Sequence, residues 1–259
     1  MKTNFSITIA LIFFLAPSLG IYAQDAESII RASRDRIKAD TISTRSRMVI
    51  SAKNGSTTER VIDQYSKDGS NGSRTMIVFQ QPATVAGTRF LTMGNNSGAD
   101  DRWIFLPSLA KSRRIAASEG GGSFMGTDFS YDDISSASRK ADVDTHTLLR
   151  EENYGGSACY VIQSVPKDSS YQYSKMISWI VKDSKITSKI ELYDKKNTLV
   201  KTVEMSGIKE VQGRLTVTVT KITTHAAGTS TTINMEIVKY DDNIPDGVFT
   251  SKYLETGKL

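Results

Sequence analysis

The chain is short of the residues that most chemistry and most covalent stapling require. It has one cysteine, Cys159, in 259 residues, so no internal disulfide can form and no cysteine-based metal cluster can be assembled. Two histidines, His146 and His225, leave little for acid–base catalysis or metal ligation. After the first two dozen residues no apolar run approaches the roughly 20 residues that cross a bilayer. Charge of one sign is not dominant either. A net charge of +5 favours acidic surfaces but is too weak to argue for nucleic acid. With 39% hydrophobic and 24% charged residues, the composition excludes a wholly disordered, fibrous or multi-span membrane protein.

What is present begins with a leader. Met1-Lys2, the apolar run from Phe5 to Leu19 and the closing Ile21-Tyr22-Ala23 have the charged start, short greasy middle and small-residue end of a secretory signal, cleaved after Ala23. No cysteine near that point could carry a lipid anchor. The expectation is residues 1–23 as signal peptide and 24–259 as an exported, soluble, mature chain, and the lack of disulfides favours a bacterial periplasm. Three Asn-x-Ser triplets, at Asn54, Asn71 and Asn95, sit in turn-like clusters and read as ordinary loops.

Asp25 is a good N-cap, and the helical spacing of apolar residues through Ile37 predicts a helix over about 25–39. Beyond it the period changes to two. Strands are predicted from Met48 and Ile50, at Val61 to Tyr65, Thr75 to Phe79, Thr88 to Met93 and Arg102 to Leu106, then at 146–152, 158–165, 172–181, 186–193, 199–209, 214–224 and 230–239. Alternation such as Leu215, Val217 and Val219 against Thr216, Thr218 and Thr220 reads as antiparallel sheet buried on one side. The tail around Ile244-Pro245-Asp246-Gly247-Val248-Phe249 is expected to dock Phe249 and Tyr253. No linker or repeat interrupts the chain, which predicts one domain. About eleven strands at ~4.8 Å spacing make a sheet roughly 50 Å wide, more than a few helices can cover. The sheet should therefore curl and leave an apolar concavity, the usual form of a site for a greasy ligand; a closed barrel filled by side chains is the alternative.

Catalytic signatures are missing. Gly121-Gly122-Ser123-Phe124-Met125 and Gly155-Gly156-Ser157-Ala158-Cys159 both lack the final glycine of a nucleophile elbow, and no phosphate-binding loop ends in Gly-Lys-Ser/Thr. The pairs Asp100-Asp101, Asp132-Asp133 and Asp241-Asp242 lack calcium-loop spacing and read as solvated turns or helix caps. His146 and His225 read as surface strand residues, and Cys159 as a small buried hydrophobe. No cofactor is expected.

The unusual stretch is 102–134. It opens on Arg102-Trp103-Ile104-Phe105-Leu106-Pro107, carries the basic run Lys111-Ser112-Arg113-Arg114, and crosses Gly120-Gly121-Gly122. It continues as Ser123-Phe124-Met125-Gly126-Thr127-Asp128-Phe129-Ser130-Tyr131-Asp132-Asp133-Ile134. Thr127 or Asp128 could cap a short helix there. Adaptable apolar groups behind free glycines fit a mobile flap; equally, they fit a plug at the end of the core. Candidate apolar binding residues are Trp103, Phe105, Phe124, Met125, Phe129 and Tyr131. Lys111, Arg113 and Arg114 are candidates for contact with a partner or a lipid head group.

This central string, with Ile-Pro-Asp-x-x-Phe near the end, resembles the signature of an uncharacterised branch of the outer-membrane lipoprotein-sorting family, related to the periplasmic carrier LolA and its acceptor LolB. The resemblance implies a mainly β (α+β) fold: a curled, incomplete antiparallel β-barrel with an N-terminal helix and short helices in its concave face. It further implies an apolar cavity for the acyl chains of lipids or lipoproteins. The partners implied are an inner-membrane exporter, of the RND type for this branch, and an outer-membrane acceptor. The expectation is a monomeric, non-catalytic periplasmic carrier without nucleic-acid partners. A lipid-sensing module attached to a membrane transporter is the first alternative, and a lipid hydrolase the second.

Overall fold

The computed structural model of the protein describes residues 19–70, 72–95, 100–135 and 139–259, with side chains from Ala26 onward; the apolar run of the expected leader and the Asn71 triplet residue lie outside the described residues. The first helix, α1, spans Leu19–Arg34 rather than 25–39. Asp25 is inside it, because the residues just before Asp25 continue the helix. It ends where the Asp35 amide bonds back to Arg31 O, with Arg31 and Arg34 in the last turn, where cations complement the helix dipole.

Thirteen strands follow. The first six are β1 Thr41–Ser51, β2 Thr57–Lys67, β3 Arg74–Gln81, β4 Arg89–Met93, β5 Asp101–Leu106 and β6 Lys111–Ile115. The remaining seven are β7 Asp144–Tyr154, β8 Ser157–Pro166, β9 Lys175–Val181, β10 Thr187–Tyr193, β11 Leu199–Val211, β12 Arg214–Thr224 and β13 Thr229–Tyr240. The strand that the pattern missed is β6, whose charged Lys-Ser-Arg-Arg run does not alternate and buries only Ile115. Every pairing is antiparallel, in the order β6-β5-β4-β3-β2-β1-β13-β12-β11-β10-β9-β8-β7. Each strand therefore lies beside its sequence neighbour, and the first and last strands pair in the middle of the sheet. The only break in this cycle falls between β6 and β7, which form the two edges.

Flat, thirteen strands would span about 60 Å. Instead the two halves face one another. The largest apolar cluster joins Met48, Ile62, Ile77, Phe79, Phe90, Ile104 and Ile115 from β1–β6 with Leu192, Val203 and Ile222 from β10–β12. This is a curled, unclosed sheet. α1 lies inside the curl, with Ala26, Ile29 and Ile30 on Ile162 and Ile180 of β8 and β9. On the outer face, a 3-10 turn at Asp246–Phe249 and a short helix, Ser251–Thr256, cover Met76, Val78 and Leu91 with Val248, Phe249 and Leu254. The tail therefore docks Phe249 and Tyr253 as expected, but outside the curl.

One alternation is inverted. Ile222 of β12 belongs to the interior, so Thr220, Thr218 and Thr216 share its face, and Leu215 and Val217 point outward. Thr216 is 3% exposed and Leu215 47%. The buried hydroxyls are satisfied, Thr216 with Tyr240 Oη at 2.8 Å and Thr218 with Gly207 O, so burying them is tolerable. This orientation predicts opposite costs for two truncations. Ile222→Ala should cost about 2–5 kcal/mol, and Leu215→Ala no more than about 0.5 kcal/mol, read from denaturant unfolding. Comparable losses from both would contradict the facing of β12.

Candidate functional site

Of the segment between the two edges, residues 116–135 lie against the interior of the curl. Its centre is a small hairpin-like loop. Phe124 N donates to Phe129 O at 2.8 Å and Thr127 N to Phe124 O at 3.0 Å, with Met125 and Gly126 both at positive φ as a tight reverse turn of this kind demands. Met125 bears a side chain in that region, a strained choice that the surrounding contacts hold in place. The turn aims Phe124 inward, where it is completely buried. Its ring meets Phe79 at 5.8 Å, Phe90 at 5.1 Å and Tyr131 at 5.8 Å, the last two edge-on, the arrangement aromatic pairs prefer.

The polar residues of the same loop anchor it on every side. Asp128, buried, accepts hydrogen bonds from Thr229 and Thr231 of β13. Arg60 of β2 donates to Met125 O at 2.6 Å. Ser130 and Asp133 cap the following helix α2, Tyr131–Ser135, reciprocally: Ser130 N to Asp133 Oδ2 at 2.8 Å and Asp133 N to Ser130 Oγ at 3.1 Å, a capping box. Ser130, rather than Thr127 or Asp128, is thus the cap. Asp132 pairs with Arg102 of β5 at 2.7 Å, and Asp133 with Lys201 of β11 at 2.8 Å. Tyr173 Oη donates to Asp133 Oδ1 at 2.9 Å, and Gln172 Nε2 to Ser130 Oγ at 2.7 Å. The Asp132-Asp133 pair is therefore no solvated turn; it ties the loop to both halves of the sheet. Gly120 is not a bare hinge either, since a Cβ there would collide with the Asp132 carboxylate.

The candidate apolar residues divide into two groups. Phe124, Met125, Phe129 and Tyr131 come together in the interior. Trp103 and Phe105 do not join them; flanking inward-facing Ile104, they lie on the outer face against Val248, Phe249 and Leu254, as the period of two requires. In the basic strand, Arg113 pairs with Glu119 at 2.8 Å and Arg114 with Asp101, while Lys111 is exposed. His146 is a core residue rather than a surface one, bonded at 2.8 Å to both Ser164 Oγ and Ala141 O, and its burial lowers its pKa. Cys159 is a buried hydrophobe. Among the described residues no cluster of three or more metal-ligating side chains occurs, and no helix is long and apolar enough to cross a membrane. The anchors Asp128, Asp132 and Asp133 were not singled out as binding partners by pattern, since an aspartate in a loop gives no hint of a partner 30 to 103 residues away.

The protein is thus a curled, open antiparallel sheet with one inserted, polar-anchored loop. Residues 71–256 match the model of a family described as an uncharacterised protein, and the chain belongs to that family. No curated protein matches it. Among solved structures it is similar to a domain from Vibrio parahaemolyticus named for outer-membrane lipoprotein sorting, at 25% identity and a TM-score of 0.85, covering 90% of this chain and 99% of that one. A DUF1329 family protein from Desulfovibrio piger is 28% identical, with a TM-score of 0.84 and coverage of 90% and 99%. A LolA superfamily protein from Nitrosomonas europaea, at 21% identity, TM-score 0.71 and coverage of 88% and 99%, shares the fold.

The anchoring predicts an alkaline limit. Burial raises the pKa of Tyr171 and Tyr173 above the ordinary 10.0, and Asp133 beside Tyr173 adds to it. Above about pH 10 the unfolded chain releases protons that the folded one keeps. Stability from these two groups is thus complete below pH 10 and falls as pH rises towards their folded values. Absorbance titration should find Tyr171 and Tyr173 the last of the ten tyrosines to ionise, together with unfolding. Ionisation of Tyr173 along with the exposed phenols, in a still-folded protein, would contradict its place in the seam.

Proposed function

We propose that this protein is a non-enzymatic periplasmic carrier that binds acyl chains of lipids or lipoproteins inside its curled sheet. It would take them from an inner-membrane exporter, of the RND type by family resemblance, towards the outer membrane. In this reading residues 1–23 are removed on export and 24–259 act as one monomeric unit. The observation that carries the proposal is that both halves of an open sheet share one apolar interior, into which a loop inserts Phe124, Met125, Phe129 and Tyr131 beside the side chains of the strands.

A carrier alternates between loaded and empty states, and an empty apolar chamber is costly because its lining loses contacts. Phe124, Met125, Phe129 and Tyr131 solve that problem by occupying the interior when no ligand does. Each CH₂ of an entering chain contributes about 0.8 kcal/mol, offset by exposing the loop's own apolar groups. Loading and release then stay nearly balanced, as shuttling needs. Lys111, exposed on the edge strand beside Arg113 and Arg114, is the proposed contact for an acidic partner.

The test separates an occupant that gives way from an ordinary core residue. Phe124→Ala should cost about 3–5 kcal/mol, seen as a lower melting temperature. If the loop stands in for a ligand, a fluorescent fatty-acyl probe should fill the vacated space and raise melting more in the variant than in wild type, by mass action. Absence of any probe-induced shift in both proteins would defeat the carrier reading.

A further inference from the structure

The interior changes character along the strands, and on three neighbours, β3 to β5, the change falls in one register. Ile77, Phe90 and Ile104 are cross-strand partners on β3, β4 and β5 and belong to the apolar cluster. Two residues along, the next inward row is Ser66, Thr75, Thr92 and Arg102, again directly paired from β2 to β5. On β3 to β5 the first row is apolar and the next polar; beyond them Gln64 of β2 is already polar beside Ile77, and Ile115 of β6 is apolar beside Arg102. A cleft of about 720 Å³ opens on this polar row, lined by Ser66, Thr75 and Thr92 together with Arg34 of α1 and Arg139. A second cleft of about 790 Å³ shares Arg139 with it and reaches Arg102 and Tyr171.

The arginines are held differently. Arg139 forks onto Asp144 and lies over the Tyr171 ring at 4.0 Å. Arg102 uses Nη1 on Asp132, while its buried Nε finds no hydrogen-bond partner among the described residues. Arg34 is open to the cleft yet has no ion-pair partner among the described residues; protein on most sides lowers its pKa, with the Asp144 charge acting the other way. A guanidinium is the group best shaped to take phosphate by two parallel hydrogen bonds. Four aspartates, Asp35, Asp40, Asp68 and Asp142, line the same cleft among six basic side chains, so both signs of charge face it. Its mixed signs suit a group that carries both charges.

We propose that this cleft holds the headgroup of an amphiphile, its phosphate on Arg34 and its ammonium towards the aspartates, while the acyl chains enter the adjoining apolar interior. The inference rests on the carrier reading and adds a substrate class to it: zwitterionic phospholipids of the phosphatidylethanolamine kind. An amphipathic interior needs an amphipathic occupant, and the row-by-row switch sets where the head stops and the chains begin.

The experiment compares three lipids with identical fluorescent chains: phosphatidylethanolamine, phosphatidylglycerol and uncharged diacylglycerol. Phosphatidylethanolamine should bind the protein about tenfold more tightly than diacylglycerol, the worth of a charge-assisted hydrogen bond. Arg34→Gln should erase that margin while leaving diacylglycerol binding and melting unchanged. Equal binding of these two lipids by wild type, or a margin that survives Arg34→Gln, overturns the headgroup site. Tighter binding of phosphatidylglycerol than of phosphatidylethanolamine overturns the ammonium assignment. Loss of the margin on adding inorganic phosphate, with diacylglycerol still bound, shows that the cleft serves a free anion and overturns the lipid source. Failure of all three lipids to bind rejects the carrier reading itself, a separate result.

Discussion

The structure depends on how one open seam is held. Twelve neighbouring pairs of strands form in sequence order or between the first and last strand, and β6 and β7 alone among the thirteen strands face no partner on one side. A sheet of this width would splay or aggregate if its halves were not joined across that gap. The joint is the loop that connects the same two strands. Asp128 grips β13, Asp132 grips β5 and Asp133 grips β11, so three carboxylates within six residues tie together strands from both halves. Buried carboxylates are costly unless paired and hydrogen-bonded. Asp132 and Asp133 are ion-paired, and Asp128 accepts hydrogen bonds from two threonines.

That anchoring explains why the loop can be at once well ordered and separable from the sheet. Its apolar side chains complete the core, but its own backbone hydrogen bonds are mainly internal, as between Phe124 and Phe129 and between Phe124 and Thr127. The strands pair with one another without it. In the proposed carrier such a plug is exchanged for another apolar occupant at the cost of its anchors, while the sheet keeps its ladder. The graded interior, apolar at Phe90 and polar at Thr92 and Arg102, gives such an occupant a direction.

Much of this was legible in the sequence, and the failures have physical causes. The curl followed from strand count and sheet width, and the open barrel from a motif resemblance. Phe124, Phe129 and Tyr131, singled out as apolar groups behind free glycines, lie together in the interior. Trp103 and Phe105 were misjudged as companions of Phe124, although a period of two already placed them opposite Ile104. The alternation of β12 showed a one-sided strand but not which side is buried; paired hydroxyls make threonine the core face here. The aspartate anchors, the burial of His146 and the placing of Arg34 at the cleft depend on contacts between residues far apart in the chain, which no local pattern encodes. The glycine run read as flexibility, yet Gly120 is small because Asp132 needs the room.

The central claim is that the 122–131 loop holds the place of a ligand and yields it. Hydrogen exchange with and without phospholipid vesicles tests this directly. On loading, the amides of Phe124, Thr127 and Tyr131, which now bond within the loop, should lose protection selectively while those of β1, β2 and β13 keep theirs. Lipid bound with the loop amides as protected as before would contradict the account.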